Sequence, residues 1–186
     1  MCADGALDSG GELRDSTCML VAGNLDPRRA LRTARMALLA MIALLACVSV
    51  PAQQPDIYPP PEQAAGDLAA ALKQAATGHR RVILDFGGNW CPDCHVLDTY
   101  FHDAANKPIL DANYILVHIN IGREDRNLDI ADRYQIPLKK GVPALAVLNS
   151  KGELLYSQQG GEFEAMRRMD SSAVTRFLVQ WKPGKA

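Results

Sequence analysis

Apolar residues change their spacing several times along the chain, and each change marks an element. Leu68, Ala71, Leu72 and Ala75 recur at helical intervals, which predicts a helix over residues 67–76 with Gly78 as its stop. Residues 81–86 (RVILDF) form an apolar, β-branched run of the kind buried in a parallel sheet, ended by Gly87 and Gly88. Cys94, Leu97 and Phe101 return to helical spacing. A second strand follows over residues 114–121, a second crossover helix over 128–134 and a third strand over 142–148. Asn149, Ser150, Lys151 and Gly152 supply a turn, so residues 153–157 come back as a hairpin partner. Ser171 is placed to cap a closing helix striped by Val174, Phe177, Leu178 and Trp181. The order α-β-α-β-α-β-β-α predicts an α/β domain, a central mixed sheet flanked by helices.

The N-terminal part follows another pattern. Arg28, Arg29, Arg32 and Arg35 precede an apolar run over residues 36–50, too short for a comfortable membrane span of about 20 residues but suited to a signal peptide. Ala46, Ser49 and Ala52 are small residues of the kind a signal peptidase needs. The segment Leu44-Leu45-Ala46-Cys47 also fits a lipoprotein signal, with Cys47 as the lipidated residue; an uncleaved anchor and a buried helix are the remaining readings. Residues 1–26 are polar and without period, which suits a translation start at Met19 or later. The expected organisation is therefore a leader over 1–52, a tether over 53–61 carrying Pro55, Pro59, Pro60 and Pro61, and one domain over 62–186. Signal cleavage and lipidation both place that domain in the periplasm, touching membrane only through the leader or a lipid at Cys47.

Composition narrows the chemistry. The chain has 186 residues, 48% of them hydrophobic, enough for a core without disulfide staples. Its net charge of −1 has no basic patch outside the leader, so no nucleic-acid partner is expected. Of the five cysteines, Cys2 and Cys18 leave with the leader and Cys47 is removed or lipidated, leaving Cys91 and Cys94. Two thiols spaced Cys-x-x-Cys are a working pair rather than a framework.

A helix start suits such a pair because unpaired N–H groups and the helix dipole stabilise a thiolate on the first sulfur. Cys91 is then the exposed nucleophile, and Cys94, one turn further in, resolves the mixed disulfide. Pro92 fits the first helical turn, where its missing N–H costs nothing. Asp93 adds a negative charge that opposes the thiolate and favours a reducing couple. Other readings of the same residues are an inert disulfide, metal or copper binding with help from His95, His102 and His118, and haem attachment at Cys91-Pro92-Asp93-Cys94-His95. The apolar strand directly before the motif opposes haem. The pairs Lys139-Lys140 and Arg167-Arg168 read as solvated faces.

Four segments, VILDFGGNWCPDC, VHINI, GVPALAVLNSKGE and the amphipathic C-terminal helix, together resemble the thioredoxin family over residues 66–182. The resemblance implies a thioredoxin fold and thiol-disulfide exchange, with no cofactor beyond a redox-active Cys91–Cys94 disulfide and no metal. It implies that Asp85 is a buried acid, its pKa raised by burial, that helps move the proton of Cys94. It implies a cis peptide before Pro143, pairing of the Val142 backbone with an incoming peptide, and a covering role for Trp90, so that Trp90, Val142 and Pro92 face substrate. His118 stands where the common bacterial thioredoxin has Lys, which would carry pH dependence into the imidazole range. Asn89 and the two glycines replace bulkier residues, and the segments 123–127 and 159–170 are longer than a minimal thioredoxin needs. The sequence is most similar to the periplasmic thioredoxin-like subgroup, which implies a reductase of protein or peptide disulfides in exported proteins, recharged by a membrane electron-donor protein. An oxidase or isomerase of the same fold, and a binding module without turnover, are the alternatives.

Overall fold

The computed structural model describes residues 55–184 together with Arg28. The leader and its cleavage or lipidation site at Cys47 lie outside the described residues. Among the described residues, five α-helices and four strands build the domain, with short 3-10 turns between them: α1 (Ala64–Gly78), β1 (Arg81–Gly87), α2 (Pro92–Phe101), α3 (Lys107–Asn113), β2 (Tyr114–Asn120), α4 (Leu128–Arg133), β3 (Ala144–Leu148), β4 (Leu154–Ser157) and α5 (Ser172–Trp181). Among the described residues no helix is long and apolar enough to cross a membrane.

The strands lie in the order β2-β1-β3-β4. β1 runs parallel to β2 and antiparallel to β3, and β3 pairs antiparallel with β4. Alternation along β1 divides the core in two. Val82, Leu84 and Phe86 pack with Leu68, Ala71 and Ala75 of α1 and with Ile130 of α4. Ile83 points the other way, into Leu97 and Phe101 of α2, Leu110 of α3 and Val174, Phe177 and Leu178 of α5. Leu97 and Phe101 are fully buried, each worth about 1.5–3 kcal/mol of apolar transfer. Those two residues fix α2 on the sheet, and with it the cysteine pair at its start.

Local differences from the sequence pattern have physical causes. The helix α3 was not expected, because seven residues with Ile109 and Leu110 as their apolar pair are too short to show a period. Its approach is set by Asp103, whose carboxylate accepts from the N–H groups of Ala105 and Asn106. Buried Asn106 then donates to the carbonyls of Tyr100 and Ser171 and accepts from the Thr175 hydroxyl at 2.6 Å, joining α2, α3 and α5. Gly78 is the last residue of α1, and the left-handed turn falls on His79, with φ 50°. Ser171 makes no side-chain cap; the Asp170 carboxylate accepts from Ser172 N–H at 2.8 Å instead. The third strand begins at Ala144, two residues later than the pattern suggests, directly after the cis Val142–Pro143 bond; Pro143 has no N–H to give to the ladder.

Residues 55–61, read from sequence as a tether, are seated on the domain. Tyr58 is buried, and Asn120 and Asn127 donate to the carbonyls of Pro59 and Pro61 at 2.8 and 2.9 Å. Side-chain amides thus hold a proline-rich stretch that has few N–H groups of its own to offer.

Candidate active site

β1 delivers the site. Asp85 sits on the same face as Ile83, two residues before Gly87, and the turn Gly88-Asn89-Trp90 then leads into α2. Cys91 is the N-cap of α2 in extended conformation, its N–H bonded to the Gly88 carbonyl at 2.9 Å. Pro92 is the first helical residue, as its fixed φ and missing N–H require. Cys91 and Cys94 are joined as a disulfide with Cα atoms 5.3 Å apart. Cys91 Sγ also accepts from the Cys94 N–H at 3.2 Å, so the first sulfur faces the open amides of the helix start.

The pair is less open than expected. Cys91 is only 3% exposed and Cys94 is fully buried, because Tyr58, Ile57 and Val142 pack around them. The Val142 carbonyl oxygen lies 3.7 Å from Cys91 Sγ, which places the cis Val142–Pro143 step directly beside the nucleophile position. Gln158, fully buried, holds that step in place by donating to the Pro143 carbonyl at 3.3 Å while its oxygen accepts from Leu145 N–H. Trp90 is 37% exposed at the rim; its indole N–H donates to the Gly122 carbonyl and the Arg123 guanidinium lies 5.4 Å from its ring.

Asp93 does not stand as a free charge beside the sulfurs. Its carboxylate accepts from the backbone N–H of Arg167 at 2.8 Å and from the Arg167 guanidinium at 3.1 and 3.0 Å. Burial would raise the Asp93 pKa, but these bonds and the charges of Arg167 and Arg168 outweigh it and hold the carboxyl below its usual value. The Asp93 charge is therefore paired, and Arg167, exposed as the sequence pattern suggested, is at the same time the partner of a residue of the motif. Asp93 and Arg167 line an open cavity of about 550 Å³ with Glu164, Ala165 and Arg168, so the segment 159–170 forms a wall next to the motif.

Behind the cysteines lies a buried polar chain. Asp85 is fully buried, and its Oδ2 accepts from the Tyr58 hydroxyl at 2.7 Å and lies 3.0 Å from His118 Nδ1. Its other oxygen, Oδ1, has no hydrogen-bond partner among the described residues. His118 is the direct β2 neighbour of Asp85 in the parallel ladder, and its Nε2 reaches Asp98 of α2 at 3.5 Å. Burial would lower the His118 pKa, but the hydrogen bonds and charges of Asp85 and Asp98 prevail and push it up to about 9. The two carboxylates thus favour the protonated imidazole. Asp98 is held below the usual carboxylate range: burial opposes, and the His118 hydrogen bond with the charges of His102, His118 and His95 decides. Tyr58 is pushed well above its ordinary pKa by burial, by the Asp85 charge and by their hydrogen bond, so it stays a neutral donor.

The structure thus brings Cys91, Cys94, Pro92, Asp93, Asp85, His118, Trp90, Val142 and Pro143 to one end of the sheet. Tyr58, Asp98, Gln158 and the clamping role of Asn89 are additions. Asn89 Oδ1 accepts from the N–H groups of Ile57 and Tyr58 at 2.9 and 2.8 Å, and its Nδ2 donates to the Tyr58 carbonyl. One signal was available for Tyr58 alone: an Ile-Tyr pair is out of place in a solvated proline tether. His95 and His102 turn to different carbonyls, those of Asn89 and Asp98.

A four-stranded mixed sheet with helices on both faces and a Cys-x-x-Cys disulfide at the start of the helix after β1 is a thioredoxin fold. The sequence profile of the thioredoxin-like family matches residues 62–150. The chain is 31% identical to a disulphide isomerase of solved structure from Xylella fastidiosa, with a TM-score of 0.63 over 67% of this chain and 95% of that one. It is 26% identical to thioredoxin of Pongo abelii over 104 residues, 56% of this chain and 85% of that protein. The chain belongs to the thioredoxin-like family, and its relatives are thiol-disulfide oxidoreductases.

Proposed function

We propose that the protein is a thiol-disulfide oxidoreductase that reduces disulfides in exported proteins. In the reduced form, the Cys91 thiolate attacks a substrate disulfide, forming a mixed disulfide and releasing one substrate thiolate. Cys94 then gives up its proton to Asp85 and attacks Cys91 Sγ, releasing the second substrate thiolate and closing the Cys91–Cys94 bond. Two electrons pass to the substrate, and a dithiol-bearing membrane electron-donor protein returns them. Val142 offers its backbone to an extended peptide, with Trp90 and Pro92 at the rim. The leader directs the domain to the periplasm, with Cys47 as the anchor if lipidated.

The observation that carries this reading is the disulfide at the leading end of α2, lying against the cis Val142–Pro143 step. Insulin-disulfide reduction driven by a chemical thiol tests it. The activity should vanish in Cys91→Ser; retention at wild-type rate contradicts the assignment.

An isomerase is the second reading. Two observations favour it: Arg167 neutralises the Asp93 charge that would bias the couple toward reduction, and the Xylella protein resembled at 31% identity is described as a disulphide isomerase. Equilibration with glutathione separates the two. A potential of about −230 mV or lower supports the reductase, and one near about −180 mV supports the isomerase.

A further inference from the structure

The peptide at 57–61 lies outside the thioredoxin-like profile, which begins at residue 62, yet its Tyr58 packs with the two buried cysteines. Three asparagines fasten it. Asn89, two residues before the nucleophile position, makes three hydrogen bonds to the backbone of Ile57 and Tyr58, while Asn120 and Asn127 take the carbonyls of Pro59 and Pro61. Held this way, the Tyr58 ring stands edge-on to His118 at 5.0 Å and its hydroxyl ends on Asp85 Oδ2.

The two oxygens of Asp85 are then unequal. Oδ2 takes both donors, the phenol from the N-terminal peptide and the imidazole from β2, while Oδ1 is fully enclosed without a partner among the described residues. Such an atom is costly to bury unless a proton donor visits it. The residues packed on the next position of the strand point to a donor. Gly87, two residues beyond Asp85 on the same face of β1, has no side chain, and a Cβ there would touch the Tyr58 hydroxyl and come within 2.7 Å of Cys94 Sγ. The Tyr58 phenol, which bonds Asp85, and the resolving sulfur therefore both stand against Gly87, two residues from the acid.

We infer that Tyr58 is a positioning residue of the redox site: by occupying Asp85 Oδ2 with His118, it leaves Oδ1 as the proton-accepting atom and sets the pH at which the acid can take the Cys94 proton. In the resolving step the S–H bond of Cys94 breaks, its proton goes to Asp85 Oδ1, and the freed thiolate forms the bond to Cys91 as the substrate thiolate leaves. The role in that step rests on the exchange chemistry proposed above. The arrangement of Tyr58 on Asp85 does not.

Among the described residues, the titratable groups bonded to Asp85 are Tyr58 from the N-terminal peptide and His118 from β2, with Asp98 bonded to the other side of His118 and the charges of His95 and His102 acting on Asp98; Cys94 of α2 stands against Gly87, two residues along the strand. Leu145 on β3 contributes no charge. A phenolic hydrogen bond favours the carboxylate over the acid, so its loss must raise the Asp85 titration midpoint.

Carbon-13 NMR of aspartate-labelled full chain in the oxidised state tests this without any turnover, with Asp85→Asn to assign the resonance. In Tyr58→Phe the Asp85 midpoint should rise by about one pH unit, the effect of one hydrogen bond to a charged group. Replacing Tyr58 by 3-fluorotyrosine keeps the shape, strengthens the donor and should lower the midpoint, which serves if the Phe variant folds poorly. A midpoint unmoved by either replacement, or moved in the opposite sense, overturns the inference. Shifts as stated in a wild-type chain that fails to reduce insulin would overturn the exchange function and leave the Tyr58–Asp85 relationship standing.

Discussion

Asp85 and His118 stand opposite each other in the parallel ladder of β1 and β2, and the imidazole Nδ1 lies 3.0 Å from a carboxylate that is fully buried. The register alone makes this contact: both side chains leave their strands on the α2 side, where Asp98 closes the other end of the ring. A histidine clamped between two carboxylates is a cation stored beside a redox pair, and its charge belongs to the folded state.

The stability of the protein should follow that charge. The His118 pKa is about 9 in the fold against an ordinary 6.5, so its contribution is fully present below about pH 6.5 and lost as the pH rises through about 9. Urea unfolding at pH 6 and pH 9.5 should differ by up to about 3 kcal/mol in the wild type from this group. In His118→Gln that difference should shrink; an equal loss in both proteins would show that His118 is not the cause.

Arg167 should set the redox potential more than its place on the surface suggests. Arg167→Ala leaves the Asp93 charge beside Cys91 without its partner, which opposes the thiolate and makes the couple more reducing. The guanidinium is well exposed, so the effect is small: about 0.5 kcal/mol, or roughly 10 mV downward in a glutathione titration. A shift upward contradicts the neutralising role.

Gly87→Ala tests how closely Tyr58 and Cys94 pack against the strand end. The added methyl meets the Tyr58 hydroxyl and the Cys94 sulfur, both buried, and overpacking of this kind costs about 1–3 kcal/mol. Denaturant melts of the oxidised protein should show that loss. Gly66→Ala is the control, because a Cβ there has nothing within 4 Å and replaces a helical glycine.

Most of this architecture was legible in the residues. The apolar run before the motif placed Asp85 and the cysteines at the end of a buried strand, and the spacing of Cys94, Leu97 and Phe101 placed them on a helix packed against it. What escaped notice depends on contacts between segments far apart in sequence. Tyr58 lies 27 residues from Asp85, Asp93 lies 74 from Arg167, and Gln158 bonds to Pro143 across the hairpin. No local period encodes such pairs. The covering of Cys91 has the same origin, since two of its neighbours come from a peptide whose prolines pointed only to extended backbone.

Trapping with Cys94→Ser bears most directly on the exchange chemistry. With the resolving sulfur gone, reduced protein offered a disulfide-bonded protein such as insulin should accumulate a covalent adduct at Cys91, released by a reducing agent and visible by mass spectrometry. Absence of any adduct on a folded Cys94→Ser protein, while the wild type also leaves the substrate oxidised, would contradict nucleophilic exchange at Cys91.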